Sequence, residues 1–206
     1  MTTASLYEEP VPLPRGGLRF PVELAAPPGF KAALEVTWPR VSGRLEFLKG
    51  SLHYMPPCGD EQSEVAVGVA GALDQWAVDH PEFSVGANEA GMLLGGEVRG
   101  ADAAIWRRKD LPPRSKRGAF RRVAPILAVE IAGQDEDEDV LLLKARWYFK
   151  HGVKIVWLVL PETREVLFLR GSARNPRRVK SNERIPSDPE LPGLEPLASR
   201  FFHQLR

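Results

Sequence analysis

The sequence predicts an α/β domain in which helices flank a mixed central sheet. The apolar runs PILAVEI (125–131) and KIVWLVL (154–160) are typical of strands that are covered on both faces, and a helical segment separates them. A chain of 206 residues with 43% hydrophobic and 27% charged side chains also has the size and composition of one globular domain.

The N-terminal part is predicted to begin with an extension and a hairpin. Six prolines disfavour regular structure in residues 1–30, so we expect a proline-rich extension there and a single domain over 31–206. The segment GRLEFLKGSLHYM (43–55) predicts a β-hairpin that turns at Lys49-Gly50. Apolar residues at helical spacing then predict a helix over 61–79.

Strands and one further helix are predicted for the rest of the chain. EFSVGANEAGMLLGG (82–96) and EVRGADAAIW (97–106) are typical of strands, and a basic loop follows at 107–122. A helix is expected at about 138–151, and EVLFLR (165–170) predicts another strand. The remaining tail is rich in proline and arginine.

Composition excludes several classes of protein. The net charge is +1, so the chain as a whole is not a polycation. The single Cys58 excludes an internal disulfide framework and a cysteine-rich zinc site. The first residues lack the pattern of a secretory signal, and no apolar run is long enough to span a membrane, so we expect a cytoplasmic protein.

Two charged residues stand in apolar segments. Glu130 lies in the middle of a strand, where a carboxylate is costly to bury unless it is paired. Lys144 is the one cation on a helix face predicted to cover the sheet with Val140, Leu141, Trp147 and Tyr148. Taken alone, Glu130 could reach a strand end or pair with an arginine, and Lys144 could extend its amine to solvent.

Asp102 is a third charged residue, flanked by alanines and an isoleucine. Alone, it is more typical of a turn or a strand end. An aspartate and a glutamate on neighbouring strands can hold Mg²⁺ or Mn²⁺ through oxygen ligands. A nearby lysine can orient or help deprotonate the attacking water and stabilise developing negative charge. Asp102, Glu130 and Lys144 together therefore indicate metal-assisted hydrolysis of phosphodiesters.

The segment from Arg44 to Pro161 resembles the PD-(D/E)XK nuclease superfamily and, within it, the Uma-type restriction endonuclease family. RLEFLKGSLHYMPP is similar to the family's yELidGelvemsPP, RGADAAIW to rePDlafv, LAVEIAG to lvvEvlS, and LLLKARWYFKHGVKIVWLVLP to lreKlelYaeaGvpeyWlvdP. The spacing from Glu130 to Lys144 is that of the family, whose lysine has moved from the strand to the following helix. Ala132 accordingly stands at the usual position of the strand lysine.

The resemblance implies a restriction-endonuclease-like fold and a metal-dependent DNA endonuclease using Mg²⁺ or Mn²⁺. It implies that Asp102 and Glu130 are metal carboxylates, that the backbone carbonyl of Ile131 is a third ligand, and that Lys144 is the catalytic lysine. Glu46 matches the family's early glutamate. It either completes the site through a water or is a solvated carboxylate of the hairpin.

The sequence departs from the family pattern at three places, and the second and third of these leave another hypothesis open. Ala101 replaces the proline before the aspartate, AGQDEDED replaces the serine or proline after the glutamate, and Glu61 or Gln62 stands where the family often has a histidine. The alternative is a catalytically inactive nuclease-fold module for nucleic-acid binding or protein assembly. The acidic run 135–139 is either a second metal site or a solvated linker whose last acids favour the start of the helix.

Two basic stretches indicate the expected partner. Residues 107–122 hold eight lysines and arginines, and a second stretch lies between Arg174 and Arg184. They either contact the phosphates of nucleic acid or form solvated loops. We expect nucleic acid, in particular DNA, as the partner, and a homodimer by resemblance to nucleases that cut two strands.

Overall fold

A computed structural model describes residues 20–113, 120–134 and 136–205 of the protein. Nine strands and two helices follow one another in this part of the chain. They are β1 (Val22–Leu24), β2 (Arg44–Leu48), β3 (Ser51–Met55), α1 (Asp60–Val78), β4 (Phe83–Leu94), β5 (Glu97–Arg107), β6 (Leu127–Ile131), α2 (Glu138–Lys150), β7 (Ile155–Leu160), β8 (Glu165–Arg170) and β9 (Arg177–Lys180).

The strands form one mixed sheet. Their order is β1-β3-β2-β5-β6-β7-β8-β9, and β4 pairs with β5. Every pair is antiparallel except β6 with β7. These two strands run parallel because α2, which lies between them in the chain, returns the chain to the end of the sheet at which β6 begins. The predicted α/β class, with a mixed central sheet flanked by helices and a hairpin (β2–β3) near the N-terminus, is confirmed.

Each helix covers one face of the sheet with its own apolar cluster. On the α1 face, Val65, Val69 and Leu73 pack against Val129 and the other strand side chains that point to this face of the sheet. On the α2 face, the opposite set of strand residues packs against Leu141, Ala145 and Tyr148. Alternation along β6 therefore turns Glu130 towards α2, because its neighbours Val129 and Ile131 face α1.

Two short strands were not predicted from the sequence. β1 lies within the stretch 1–30 that was expected to lack regular structure, and it pairs with β3 through Val22, Glu23 and Leu24. β9 lies in the tail and pairs with β8. Each has only three or four residues and lies at an edge of the sheet, so neither carries a buried apolar pattern that sequence alone could reveal.

The predicted apolar face of α2 was wrong at one position. Val140 is 36% exposed, whereas the buried stripe consists of Leu141, Ala145 and Tyr148 at spacings of four and three residues. This stripe is narrower than predicted because only the side chains pointing straight at the sheet reach it. Trp147 lies at its margin, where its indole Nε1 donates to the carboxylate of Glu97.

Candidate active site

Three residues singled out in the sequence converge beneath α2. The register of β5 and β6 pairs Ala103 with Val129, so Asp102 and Glu130 follow at the next position of these neighbouring strands. Lys144 reaches them from α2, and its Nζ lies 3.0 Å from Oε2 of Glu130. The side chain of Lys144 is only 12% exposed, which excludes an amine extended into solvent.

Glu130 is buried and fully engaged. It is 2% exposed, and its two oxygens accept hydrogen bonds from Lys144 and from the Tyr148 hydroxyl. Burial alone would raise the pKa of Glu130, but the charges of Lys144 and Arg99 and the two hydrogen bonds lower it below its ordinary value. The carboxylate is therefore ionised at neutral pH, and it is paired with a cation inside the protein instead of reaching solvent.

Lys144 also binds a second carboxylate. Its Nζ lies 2.6 Å from Oε1 of Glu136, whose other oxygen accepts a hydrogen bond from the Gly133 amide at 3.2 Å. Burial alone would lower the pKa of Lys144, but Glu130 and Glu136 raise it above its ordinary value. The amine is therefore a cation at neutral pH.

The acidic run before α2 thus has two structural uses. Glu136 belongs to the site, although the sequence indicated only a linker or a separate metal site. Asp137 caps the helix by accepting the Val140 amide at 2.9 Å, as expected for the last acids of the run. Asp135 lies outside the described residues.

Asp102 has an unusual proton affinity. Its Oδ2 accepts the backbone amide of Ile131 at 2.7 Å, and its Oδ1 lies 3.5 Å from Nη1 of Arg44. Burial and the negative charges of Glu130 and Glu89 raise its pKa from 3.8 to about 8, more than the Ile131 amide and Arg44 lower it. Asp102 therefore lacks sufficient positive charge nearby.

A bulge in β4 brings Glu89 to the same place. Asn88 and Glu89 have φ angles of 56° and 59°, and the β4–β5 register shifts between Ala87 and Ala90. The carboxylate of Glu89 pairs with Arg44. A Cβ on Gly100 would lie 2.8 Å from Oε2 of Glu89, so glycine leaves room for this side chain.

Glu46 lies at the site and is not a solvated carboxylate of the hairpin. It is 6% exposed, its Oε2 lies 3.4 Å from Nε of Arg99, and its Oε1 accepts the Gly100 amide at 3.3 Å. Burial raises the pKa of Glu46 more than Arg99 lowers it. The Arg99 guanidinium also lies over the ring of Trp147, 5.2 Å from its centroid.

The carbonyl of Ile131 already accepts a hydrogen bond. Nε2 of Gln62, a buried residue in the first turn of α1, donates to it at 2.9 Å. Gln62 is therefore the residue that reaches the site from the region where the family often has a histidine, whereas Glu61 is exposed.

Several residues of the site were missed in the sequence. Arg99 lies across from Glu46, because Phe47 pairs with Val98, and this pairing is invisible before the sheet is known. Tyr148 follows Lys144 by one helical turn, a signal that was assigned only to packing. Glu89 had no detectable signal, because the bulge that delivers it is not encoded by a glycine.

The charge and chemistry of these side chains fit a divalent cation. Five carboxylates and three cationic groups leave two formal negative charges in excess when all are ionised: Glu46, Glu89, Asp102, Glu130 and Glu136 against Arg44, Arg99 and Lys144. The available donors are all oxygens, which suits Mg²⁺ or Mn²⁺. Within the described residues, however, no three acidic, histidine or cysteine side chains are already arranged around a metal position.

A cavity of about 700 Å³ borders the site at the C-terminal ends of β6 and β7. Gln62 and Glu136 line it, together with the first turns of both helices. Its charged lining residues are all acidic except Arg178, which pairs with Glu138 and Glu165 at 2.7 Å each. The second basic stretch therefore contributes one arginine to this opening.

The first basic stretch is partly engaged in internal contacts. Arg107 pairs with Glu190, Arg108 donates to the Pro81 carbonyl, and Arg121 stacks over the ring of Trp106. Residues 114–119 lie outside the described part of the chain. Over the ranges that the structure describes, no helix combines the length and the apolar character needed to cross a membrane.

Comparison with known proteins gives a family and a fold. A family described as "Uma2: Putative restriction endonuclease" matches residues 34–200. No curated protein matches the chain. The fold is similar to the crystal structure of a putative nuclease belonging to DUF820 from Anabaena variabilis ATCC 29413, with 14% sequence identity and a TM-score of 0.69 over 82% of this chain and 94% of that chain. At this identity the likeness shows the fold alone, and it confirms the nuclease-like architecture.

Proposed function

Because the chain belongs to the Uma2 family of restriction endonuclease-like proteins, we propose that it is a metal-dependent endonuclease that hydrolyses phosphodiester bonds of DNA. One observation carries the proposal. Glu130 is buried, Asp102 lies beside it on the neighbouring strand with its side chain 10% exposed, and the Lys144 ammonium is 3.0 Å from Glu130. Placing these charges together away from water is costly, and a bound cation would offset that cost at Asp102, whose contact with Arg44 is 3.5 Å long.

Asp102 and Glu130 would hold the cation, with the backbone carbonyl of Ile131 as a third oxygen. Mg²⁺ or Mn²⁺, when bound, supplies positive charge that polarises the phosphoryl group and promotes ionisation of the attacking water. To hold the cation, Oδ1 of Asp102 would give up its contact with Arg44, and the Ile131 carbonyl would be shared with Gln62, because both oxygens are engaged in this structure. Tyr148 fixes the Glu130 carboxylate through its hydroxyl.

We assign Lys144 an electrostatic role. Its raised pKa keeps it protonated at neutral pH, so it does not serve as the base. Its ammonium stabilises the negative charge that develops on the phosphate as water attacks phosphorus and the bond to the sugar oxygen breaks. Glu136 and Glu130 orient the amine, and the charge of Glu46 also contributes to the raised pKa of Lys144.

The test is cleavage of plasmid DNA with Mg²⁺ or Mn²⁺. We expect Asp102→Asn and Lys144→Met to lower the rate by at least about 100-fold, the usual effect of removing one group that stabilises transition-state charge. Lys154→Met is the matched control, because Lys154 also pairs with a glutamate, Glu190, but on another part of the surface. Unchanged cleavage by folded Asp102→Asn and Lys144→Met proteins would reject the assignment.

A second candidate function is a nuclease-fold module that binds nucleic acid without cutting it. Two observations favour this candidate. Arg44 contacts the carboxylate of Asp102, and within the described residues no three acidic, histidine or cysteine side chains are arranged around a metal position. Calorimetry with Mn²⁺ separates the two. Binding that is lost in Asp102→Asn supports the endonuclease, whereas DNA binding without any Mn²⁺ binding supports the module.

A further inference from the structure

A second, smaller cavity lies beside the candidate active site. It measures about 170 Å³ and opens between β2, β4 and β5. Among its lining residues are two arginines, two glutamates, a glycine and a phenylalanine: Arg44, Arg99, Glu46, Glu89, Gly100 and Phe120. It adjoins the proposed metal carboxylates, because Nη1 of Arg44 is 3.5 Å from Oδ1 of Asp102.

Both arginines have hydrogen-bond donors without acceptors. The side chain of Arg99 is 9% exposed, yet its Nη1 and Nε make no hydrogen bond, although Nε lies 3.4 Å from Glu46. Nε of Arg44 is likewise buried without an acceptor. Buried donors without a partner are rare in folded proteins and energetically unfavourable. A bound acceptor would therefore stabilise each of them.

We propose that this cavity is an anion subsite, in which Arg99 and Arg44 bind a phosphate group of the nucleic-acid backbone next to the metal carboxylates. Only donors are unsatisfied, so the missing partner is an acceptor and not a cation. A guanidinium suits a phosphate because each of its N–H groups can donate a charge-assisted hydrogen bond to a phosphate oxygen.

The carboxylates in the cavity leave these donors available. Glu46 contacts Arg99 on the Nε side and leaves Nη1 without a bond, while Glu89 takes Nη1 of Arg44 and leaves Nε. The Arg99 guanidinium is held in place by the Trp147 ring, so little conformational freedom remains to be lost on binding. That the anion belongs to nucleic acid rests on the proposed function, whereas anion binding itself does not.

The first experiment measures binding of inorganic phosphate by calorimetry in EDTA, where no nuclease activity contributes. We expect the intact protein to bind phosphate and Arg99→Met to bind it at least about tenfold more weakly, because a charge-assisted pair of hydrogen bonds is lost. Arg107→Met is the matched control. Arg107 lies on the same strand, pairs with one glutamate and lies over one aromatic ring, Phe83, but is remote from the cavity.

Two further variants keep the test decisive if Arg99→Met does not fold. Arg99→Lys keeps the charge but removes the fork, and Glu46→Gln combined with Arg99→Met removes the ion pair as a unit. Folded versions of either that bind phosphate as tightly as the intact protein would overturn the proposal, as would no phosphate binding by the intact protein. Equal weakening by Arg107→Met would overturn it as well.

A second experiment identifies the source of the phosphate. A short DNA duplex added in EDTA is expected to compete with inorganic phosphate, and to bind more weakly to Arg99→Lys than to the intact protein. Phosphate binding without competition by the duplex would show a free-phosphate site and overturn the nucleic-acid assignment. A lack of cleavage in the separate plasmid assay would leave this result unaffected, so the two proposals can fail independently.

Discussion

At the scale of single residues, Asp102 is a carboxyl group whose charged form is disfavoured by its surroundings. Burial and two neighbouring carboxylates raise its pKa from 3.8 to about 8, and the Arg44 contact at 3.5 Å is too long to compensate fully. Protonated Asp102 therefore contributes folding stability that is fully present below the unfolded pKa near 3.8 and is lost as the pH rises through about 8.

We predict that Asp102→Asn stabilises the protein in EDTA at pH 8 and above. Asparagine keeps an oxygen that can accept the Ile131 amide and carries no charge, and a tenfold change in proton affinity on folding corresponds to about 1.4 kcal/mol of stability. Urea denaturation should show a higher free energy of unfolding for the variant at pH 8.5 and a smaller difference at pH 5, where Asp102 is itself protonated. A variant that is less stable at both values would contradict the raised pKa.

The sequence revealed the acids and the amine because each interrupts an apolar pattern. Glu130 within a buried strand and Lys144 within a helical stripe needed partners, and the structure pairs them with each other. Arg99 and Glu89 could not be found in this way. Neither interrupts a continuous apolar run in the sequence, and only the sheet register and the β4 bulge bring them to the site.

At the scale of elements, α1 depends on one glycine for its packing. A Cβ on Gly68 would lie 2.6 Å from the carbonyl oxygen of Phe201 and 2.8 Å from that of Arg200, so the helix lies directly against the C-terminal segment. Gly71, one turn further on the exposed side, has nothing within 4 Å of such an atom. The two glycines therefore occupy opposite environments in the same helix.

We predict opposite effects when each is replaced by alanine. Gly71→Ala should raise the free energy of unfolding by about 0.5–1 kcal/mol, because alanine has the higher helix propensity. Gly68→Ala should lower it by about 1–3 kcal/mol, because the clash with backbone outweighs the gain in propensity. Chemical denaturation of both variants tests this, and stabilisation by Gly68→Ala would show that the two segments are not in close contact.

Most helices and strands could be predicted from the periodicity of their apolar residues, because a long segment repeats that pattern several times. The predicted helices at 61–79 and 138–151 correspond to α1 and α2 within one residue at each end. β1 and β9 were missed because an edge strand of three or four residues buries few side chains. The division into an extension over 1–30 and a domain over 31–206 stays a prediction, although β1 already joins the sheet within the first of these ranges.

At the scale of the whole molecule, a net charge of +1 conceals a local asymmetry. β9 forms one edge of the sheet and presents Arg177, Arg178 and Lys180 as exposed side chains. Arg178 also lines the cavity that borders the site. Under the proposed function, we expect DNA to pass along this edge beside the opening where the two helices begin.

We predict that DNA affinity depends on this edge. Arg177→Glu combined with Lys180→Glu should weaken binding in EDTA and reduce the salt slope of log K by about one to two, since each phosphate contact contributes about 0.9. Lys150→Glu combined with Lys154→Glu is the control, because these exposed lysines lie at the end of α2 and just before β7, at the opposite end of the strands from the opening.

Fluorescence anisotropy with a labelled duplex over a series of salt concentrations measures both quantities. Equal losses in the two double variants would indicate non-specific attraction instead of a path along β9. The homodimer expected from related nucleases stays a prediction, and sedimentation of the free and DNA-bound protein would test it.

The placement of Lys144 on α2 has a consequence for how this protein tolerates change. When an amine and a carboxylate belong to one strand, the covalent backbone alone sets their separation. Here that separation depends on how α2 packs onto the sheet through Leu141 and Ala145, which belong to the buried apolar cluster on this face. Apolar side chains of the interior thus set the distance between Lys144 and Glu130, so substitutions among them change the geometry of the site while every charged residue stays the same.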